Sequence, residues 1–433
     1  MLQDLFKVDA HIVCAHRRKR FISHIQHAFP EIKKGRILLI GGLEQGHNLF
    51  EQESTFYYLT GFKEPGLVMM LDLNGHTTVY VPAYRHNRGA WSRVHVSDQS
   101  NPASLGVDQV KLMGQPLQSS NLTMLFGAEQ VHYVLEDLKS GIEHGEAVFV
   151  VDAHGTDIYI QQQLFLYRLC QFAPELKQKL IDIAPIVAEL RRTKQPEEIE
   201  LICKAVELAS IAQNAAADSI AIGESESIVQ ASLEWVITAA GGRTSFPSIV
   251  ATGKNATILH YTDNNAIIQK NELVVVDIGA RIEGYCSDLT RTYPASGTFN
   301  TRQRELYRIV LEVQKHIEET AKPGFWLTNN DKPEQSLNHL AKKAFAHYGL
   351  EKFFIHNIGH FLGLDVHDVG NVALPLKEGD VITIEPGLYI PDEGIGIRIE
   401  DDYLVAGKGV VCLSDDLIKE IEDIEALMKK RGK

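Results

Sequence analysis

The chain has 433 residues, 44% of them hydrophobic and 23% charged, and a formal net charge of −13 from 43 basic and 56 acidic side chains. That length exceeds one typical domain, and the apolar fraction suffices for full cores. No stretch of about 18 apolar residues could form a membrane-spanning helix, and the dispersed acidic charge argues against nucleic acid as a partner. The opening residues, with Asp4 and Asp9 and no continuous apolar core, match neither a secretory signal nor a transit peptide. Five scattered cysteines without a CxxC pair fit a reducing compartment, so a cytoplasmic location is expected.

In chain order, GRILLIGG, FYYLTGF, LVMMLDL and HTTVYVPAY read as short β-rich runs bounded by Gly, Pro or Asn, among helical patches. They predict an α/β amino-terminal domain over residues 1–172. From Gln161 to Ala212 the pattern becomes helical. Pro196 suits a first helical turn, Glu197 and Glu198 complement the helix dipole, and Ile199, Ile202, Val206 and Ala209 mark one face.

The second domain, 173–433, contains a diverged duplication of helix, helix and hairpin. Its first half runs from EEIELICKAVELASIAQNA through SIVQASLEWVITAAG to ELVVVDIGARIEGYCSDLTRTY. Its second runs from RQRELYRIVLEVQKHIEETA through SLNHLAKKAFAHYG to GDVITIEPGLYIPDEGIGIRIEDDYLV. In each hairpin an apolar run leads into a carboxylate (Asp277, Glu385), a glycine follows two positions later (Gly279, Gly387), and a second carboxylate closes the unit (Asp288, Glu400).

Residues directly opposite in a hairpin share a face when an odd number of positions separates them. Asp277 and Asp288 are 11 apart and Glu385 and Glu400 are 15 apart, which centres the turns on Ile282–Glu283 and Asp392–Glu393. Four carboxylates set in apolar strands repel one another unless cations neutralise them. The segment FFIHNIGHFLGLDVHDVG adds His356, His360 and His367, and Gly359 and Gly363 favour a glycine-rich loop there over a regular helix. One imidazole with four carboxylates is a hard, oxygen-dominated set suited to two divalent ions, manganese most naturally, with cobalt or zinc also compatible. No GxSxG elbow supports a serine hydrolase.

The blocks ILHYTDN, VVVDIGARIEGYCSDLTRTY, HNIGHFLGLDVHD, ITIEPGLYI and GIGIRIEDD, in that order, resemble the metal-dependent Xaa-Pro peptidases of the pita-bread fold. The likeness is strongest to their aminopeptidase P branch; prolidase, methionine aminopeptidase and creatinase are relatives. QESTFYYLTGFKEPGLVMML extends it into the front domain. The resemblance implies an α/β (α+β) chain of two domains, an amino-terminal α/β domain and a pita-bread domain with pseudo-twofold symmetry. It implies that Asp277 and Asp288 bind one metal, that Asp288 also bridges to a second, and that His360, Glu385 and a bridging Glu400 complete a dinuclear site. His260, His356 and His367 fall on family histidines outside the metal shell, and Arg398 on a supporting arginine.

The implied reaction removes the first residue from peptides with proline second, through attack by a metal-bridging hydroxide. Glu385 would accept the water proton, His367 would stabilise the carbonyl oxygen, and His260 and His356 would shape the proline pocket. Trp91 corresponds to a front-domain aromatic that helps close a neighbouring subunit's site, which implies a homo-oligomer, dimer or tetramer. The three-residue link PDE between EPGLYI and GIGIR is shorter than in many aminopeptidases P. The nearest alternative is a dipeptidase of the prolidase type, and the alternative from another class is a metal-free binding module on the same fold.

Overall fold

The computed structural model describes residues 10–44, 49–84, 88–90, 96, 101–117, 126–152 and 160–429, so Trp91 lies outside the described residues. The chain divides into two compact units between Leu190 and Arg191.

The first unit contains α1 (Ala10–Ala28), β1 (Gly35–Ile40), α2 (Ser54–Thr60), β2 (Val68–Asp72), β3 (Thr77–Val81), β4 (Gln109–Leu112), α3 (His132–Glu143), β5 (Ala147–Val150), α4 (Ile160–Phe172), β6 (Leu180–Asp182) and all but the last two residues of α5 (Ala184–Arg192). Its six strands form one mixed sheet in the order β4-β3-β2-β1-β5-β6. Alternate residues Leu38 and Ile40, Val68 and Met70, and Val148 and Val150 point to one face. There they bury Val134 and Leu138 of α3 and Phe165 and Leu169 of α4.

FYYLTGF departs from the expected β-rich run, for it lies in α2 and its exit turn. The Glu53 carboxylate accepts the free N–H groups of Thr55 and Phe56, and Gly61 takes the left-handed φ of 71° that closes the helix. These two end signals outweigh the strand preference of three aromatic residues.

The second unit opens with α6 (Pro196–Ser219) and α7 (Glu226–Ala239), followed by strands β7 (Arg243–Thr244), β8 (Ile249–Thr252), β9 (Leu273–Ile278), β10 (Ala280–Ile282), β11 (Tyr285–Cys286) and β12 (Leu289–Pro294). The sequence of types then repeats as α8 (Thr301–Thr320), α9 (Leu337–His347), β13 (Val381–Ile384), β14 (Gly387–Ile390), β15 (Ile395–Arg398), β16 (Asp401–Ala406) and β17 (Gly409–Cys412), with α10 (Ile421–Lys429) closing the described chain. Pro196 opens α6 as the sequence implies, and Glu198 closes a capping box with Gln195.

One buried residue type in each half shows the duplication directly. Gln213 of α6 donates through Nε2 to the carbonyls of Val276 and Leu289, each at 2.9 Å. Gln314 of α8 donates to the carbonyls of Ile384 and Ile399, each at 3.3 Å. Val276, Ile384 and Ile399 immediately precede Asp277, Glu385 and Glu400, and Leu289 follows Asp288. Each glutamine therefore ties together the two strands that present a carboxylate pair.

The second hairpin keeps the register its spacing predicts. Ile384 pairs with Asp401 and Gly387 with Arg398, which sets Glu385 opposite Glu400. The first hairpin is shifted. Asp277 pairs with Thr290, and Ile282 pairs with Tyr285, so the turn centres on Glu283 and Gly284 and not on Ile282 and Glu283. The reason lies in the turn itself: both residues have positive φ, 46° and 88°, which suits a tight two-residue connection with glycine second. A shift of two positions preserves strand parity, so Asp277 and Asp288 still share a face.

Candidate functional site

The two hairpins meet edge to edge. Glu400 bridges to Thr290, its N–H donating to the Thr290 carbonyl at 3.1 Å, while Thr290 Oγ1 donates to Glu400 Oε2 at 2.7 Å. This joins the strands that carry Asp288 and Glu400. The histidine segment then runs against β13: His360 O accepts from Thr383 N–H, and Ile358 O accepts from Glu385 N–H. It is neither helix nor detached loop, since Phe361 pairs antiparallel with Ile382.

Asp277, Asp288, His360, Glu385 and Glu400 thereby line one cavity of about 870 Å³, together with His260, His356, His367 and Arg398. Ligand atoms of Asp288, His360 and Glu400 lie within 4.8 Å of one another. The His360 Nδ1–H donates to the Phe361 carbonyl at 3.0 Å, which leaves Nε2 facing the carboxylates, 3.4 Å from Asp288 Oδ2 and 3.7 Å from Glu385 Oε1.

Two oxygens test whether cations fit. Asp277 Oδ1 and Asp288 Oδ1 are buried without a hydrogen-bond partner. Buried carboxylate oxygens facing other acids are costly unless something positive meets them, and a divalent ion does so. The donor set of four carboxylates and one imidazole nitrogen has the chemistry such an ion requires.

The electrostatics agree. Burial, reinforced by the neighbouring acids, raises the pKa of Asp288, Glu385 and Glu400. Burial opposes charge on His360, but Asp288 and Glu385 overcome it and lift the ring to about 9. The metal-free cluster thus holds protons where cations would otherwise stand. Binding cations requires a neutral imidazole and ionised carboxylates. Metal loading near neutral pH is expected to release protons, and affinity to rise with pH toward about 9. Calorimetry in two buffers of different ionisation enthalpy measures this; a buffer-independent heat at neutral pH would contradict it.

Arg398 and Tyr389 fix the opposite wall. Arg398 Nη2 donates to Asp277 Oδ2 at 2.6 Å, Nε donates to Thr290 Oγ1 at 3.1 Å, and Nη1 donates to the Tyr389 hydroxyl at 2.8 Å. That hydroxyl lies 3.0 Å from His356 Nε2, and His356 Nδ1 donates to the Asn357 carbonyl at 2.8 Å. Burial, with Arg398 nearby, pushes His356 down to about 4, so its ring is neutral at physiological pH. His260 and His367 are exposed along the cavity, and the His367 ring centroid lies 4.1 Å from that of His360. The residue after His367 is anchored: Asp368 accepts from Arg191 at 2.6 Å and Lys194 at 2.9 Å, with all three side chains 1% exposed.

Tyr389 carries a contact that sequence reasoning did not assign. The signal was there, since strand alternation places residues 385, 387 and 389 on one side. The matched glycines have steric causes. A Cβ on Gly387 would lie 2.6 Å from the Tyr389 hydroxyl, and one on Gly279 would lie 2.0 Å from the Ser287 carbonyl oxygen.

Comparison with known proteins agrees with this geometry. Residues 200–406 match the model for metallopeptidase family M24, and residues 14–133 match the amino-terminal domain of aminopeptidase P. The Xaa-Pro aminopeptidase of Escherichia coli (strain K12) is 31% identical over 411 residues, covering 88% of this chain and 89% of that protein. The chain belongs to metallopeptidase family M24.

Within M24 it is a metallo-aminopeptidase of the aminopeptidase P type. The structure of E. coli aminopeptidase P with the inhibitor Pro-Leu is similar with a TM-score of 0.79 at 28% identity, covering 98% of this chain and 99% of that one. The Xaa-Pro dipeptidase of Pyrococcus furiosus is 40% identical over 237 residues, covering 54% of this chain and 66% of that protein. Both the two-domain α/β architecture and the pita-bread fold expected from the sequence are therefore present, and the family requires divalent metal.

Proposed function

We propose that this M24 peptidase releases the first residue from peptides whose second residue is proline, using two divalent ions, manganese by preference. The observation that carries the reading is that four carboxylates and His360 line one cavity, with His360 Nε2 facing Asp288 and Glu385 and with Asp277 Oδ1 and Asp288 Oδ1 left without a hydrogen-bond partner. Asp277, Asp288, His360, Glu385 and Glu400 would hold the ions. When bound, such ions supply a nucleophile from water at neutral pH and polarise the scissile carbonyl.

The chain's own residues do the rest. Glu385, whose Oε1 lies 3.4 Å from Thr383 Oγ1, would take the water proton and return it to the leaving nitrogen. His367 donates to the carbonyl oxygen as charge develops there. Arg398 holds Asp277 in place, and the neutral His356 ring, fixed at both nitrogens, gives a rigid wall to the cavity that His260 also lines. Such a wall recognises proline by shape, which suits a tertiary amide that has no N–H to donate.

The identity to a dipeptidase gives a second reading its support, since over the matched 237 residues it exceeds the identity to the aminopeptidase. The aminopeptidase match spans more of the chain, which favours longer peptides. An Xaa-Pro dipeptide and an Xaa-Pro-Yaa-Zaa peptide, assayed with manganese and again with chelator, separate the readings. Chelator-sensitive cleavage of the longer peptide is expected; cleavage of the dipeptide alone would favour the dipeptidase, and chelator-insensitive binding without cleavage would favour the metal-free module.

A further inference from the structure

Among the described residues two arginines line the cavity, and only Arg398 has a role in the mechanism above. Arg281 is the other. It lies on β10, four residues beyond Asp277 on a nearly continuous strand, so alternation brings both side chains to the cavity side. At about 3.3 Å per residue, Arg281 stands ~13 Å along the strand from Asp277. Directly across from it on β7 is the exposed Arg243. A cationic pair at this point contrasts with four acids deeper in the cavity and with a chain of net charge −13.

Resting on the Xaa-Pro aminopeptidase reading, we infer that Arg281, backed by Arg243, is a specificity residue that binds a substrate carboxylate at the third position past the scissile bond. The direction follows from the reaction. An aminopeptidase accommodates a single residue before the cleaved bond, about 3.5 Å of chain, so a group ~13 Å away meets only residues after it. Three extended residues cover roughly 10 Å, and an arginine side chain spans the remainder. The matching ligand is the terminal carboxylate of a tetrapeptide, or an acidic side chain at the same place in a longer one. A guanidinium is suited to grip either by two parallel hydrogen bonds. Arg281 thereby selects short peptides with a free end, or peptides acidic at that site.

The test compares kcat/KM for Ala-Pro-Ala-Ala with a free carboxyl end, the same peptide as its amide, and Ala-Pro-Ala-Glu as its amide, all with manganese-loaded enzyme. The free acid is expected to exceed the neutral amide by about tenfold, the scale of a charge-assisted contact. Recovery with the glutamate amide assigns the preference to any carboxylate at that position, and no recovery assigns it to the chain end. Arg281→Gln should bring the acid-to-amide ratio close to one, whereas Arg281→Lys should keep part of it. An acid-to-amide ratio near one in the unaltered enzyme, or a ratio indifferent to Arg281→Gln, would overturn the inference while leaving the Xaa-Pro reading intact. No cleavage of any of the three peptides before proline would overturn both.

Discussion

His360→Ala is expected to strip metal from the site, whereas His367→Ala is expected to keep metal and lose turnover. The two ring centroids lie 4.1 Å apart with the planes tilted by 48°, and His360 directs Nε2 at Asp288 and Glu385 while its other nitrogen is committed to the Phe361 carbonyl. Removing that nitrogen should weaken metal binding by more than ~100-fold, since even supporting contacts to metal ligands are worth 10- to 100-fold. Removing His367 takes away a donor to the developing oxyanion, and kcat should fall by about 10²- to 10³-fold. Metal analysis after dialysis, run beside steady-state kinetics, distinguishes them. If His367→Ala emptied the site instead, the division of labour between the two histidines would be wrong.

Glu385→Gln should lower kcat by about 10²- to 10⁴-fold, the range for loss of a positioned acid–base group. The amide is close in shape, and the backbone N–H of residue 385 would still bond to the Ile358 carbonyl, so the strand stays in register. Retained folding by circular dichroism with retained turnover would exclude Glu385 as the proton carrier. Glu385 also belongs to the ligand set, so metal content has to be measured in the same preparation. The expected signature is a kcat loss that saturating manganese does not restore.

How much of this was legible beforehand depends on the physics of each feature. The second hairpin's register could be counted from Glu385 and Glu400 because its turn over Asp392 and Glu393 follows the simple two-residue centre. The first could not, because Glu283 accepts a positive φ that ordinary side chains avoid, and that choice moves the register by two. Face parity survived, which is why the carboxylate pairing did as well. FYYLTGF misled because aromatic residues signal strands, while the carboxylate cap from Glu53 lies just outside the run.

Other features depended on contacts distant in sequence. Arg191 and Lys194 reach Asp368 across more than 170 positions, and Gln213 finds its two carbonyls 63 and 76 positions away. No local pattern announces such partners. The Arg398, Tyr389 and His356 relay was half-visible: strand alternation predicts that Tyr389 faces the site, but only the fold shows that it links an arginine to a histidine.

Anomalous diffraction from crystals of the manganese-loaded protein tests the central claim most directly. Two manganese peaks are expected, both enclosed by Asp277, Asp288, His360, Glu385 and Glu400, with His356 and His367 outside the coordination sphere. A single peak, or a peak ligated by His367 or His356, would contradict the account.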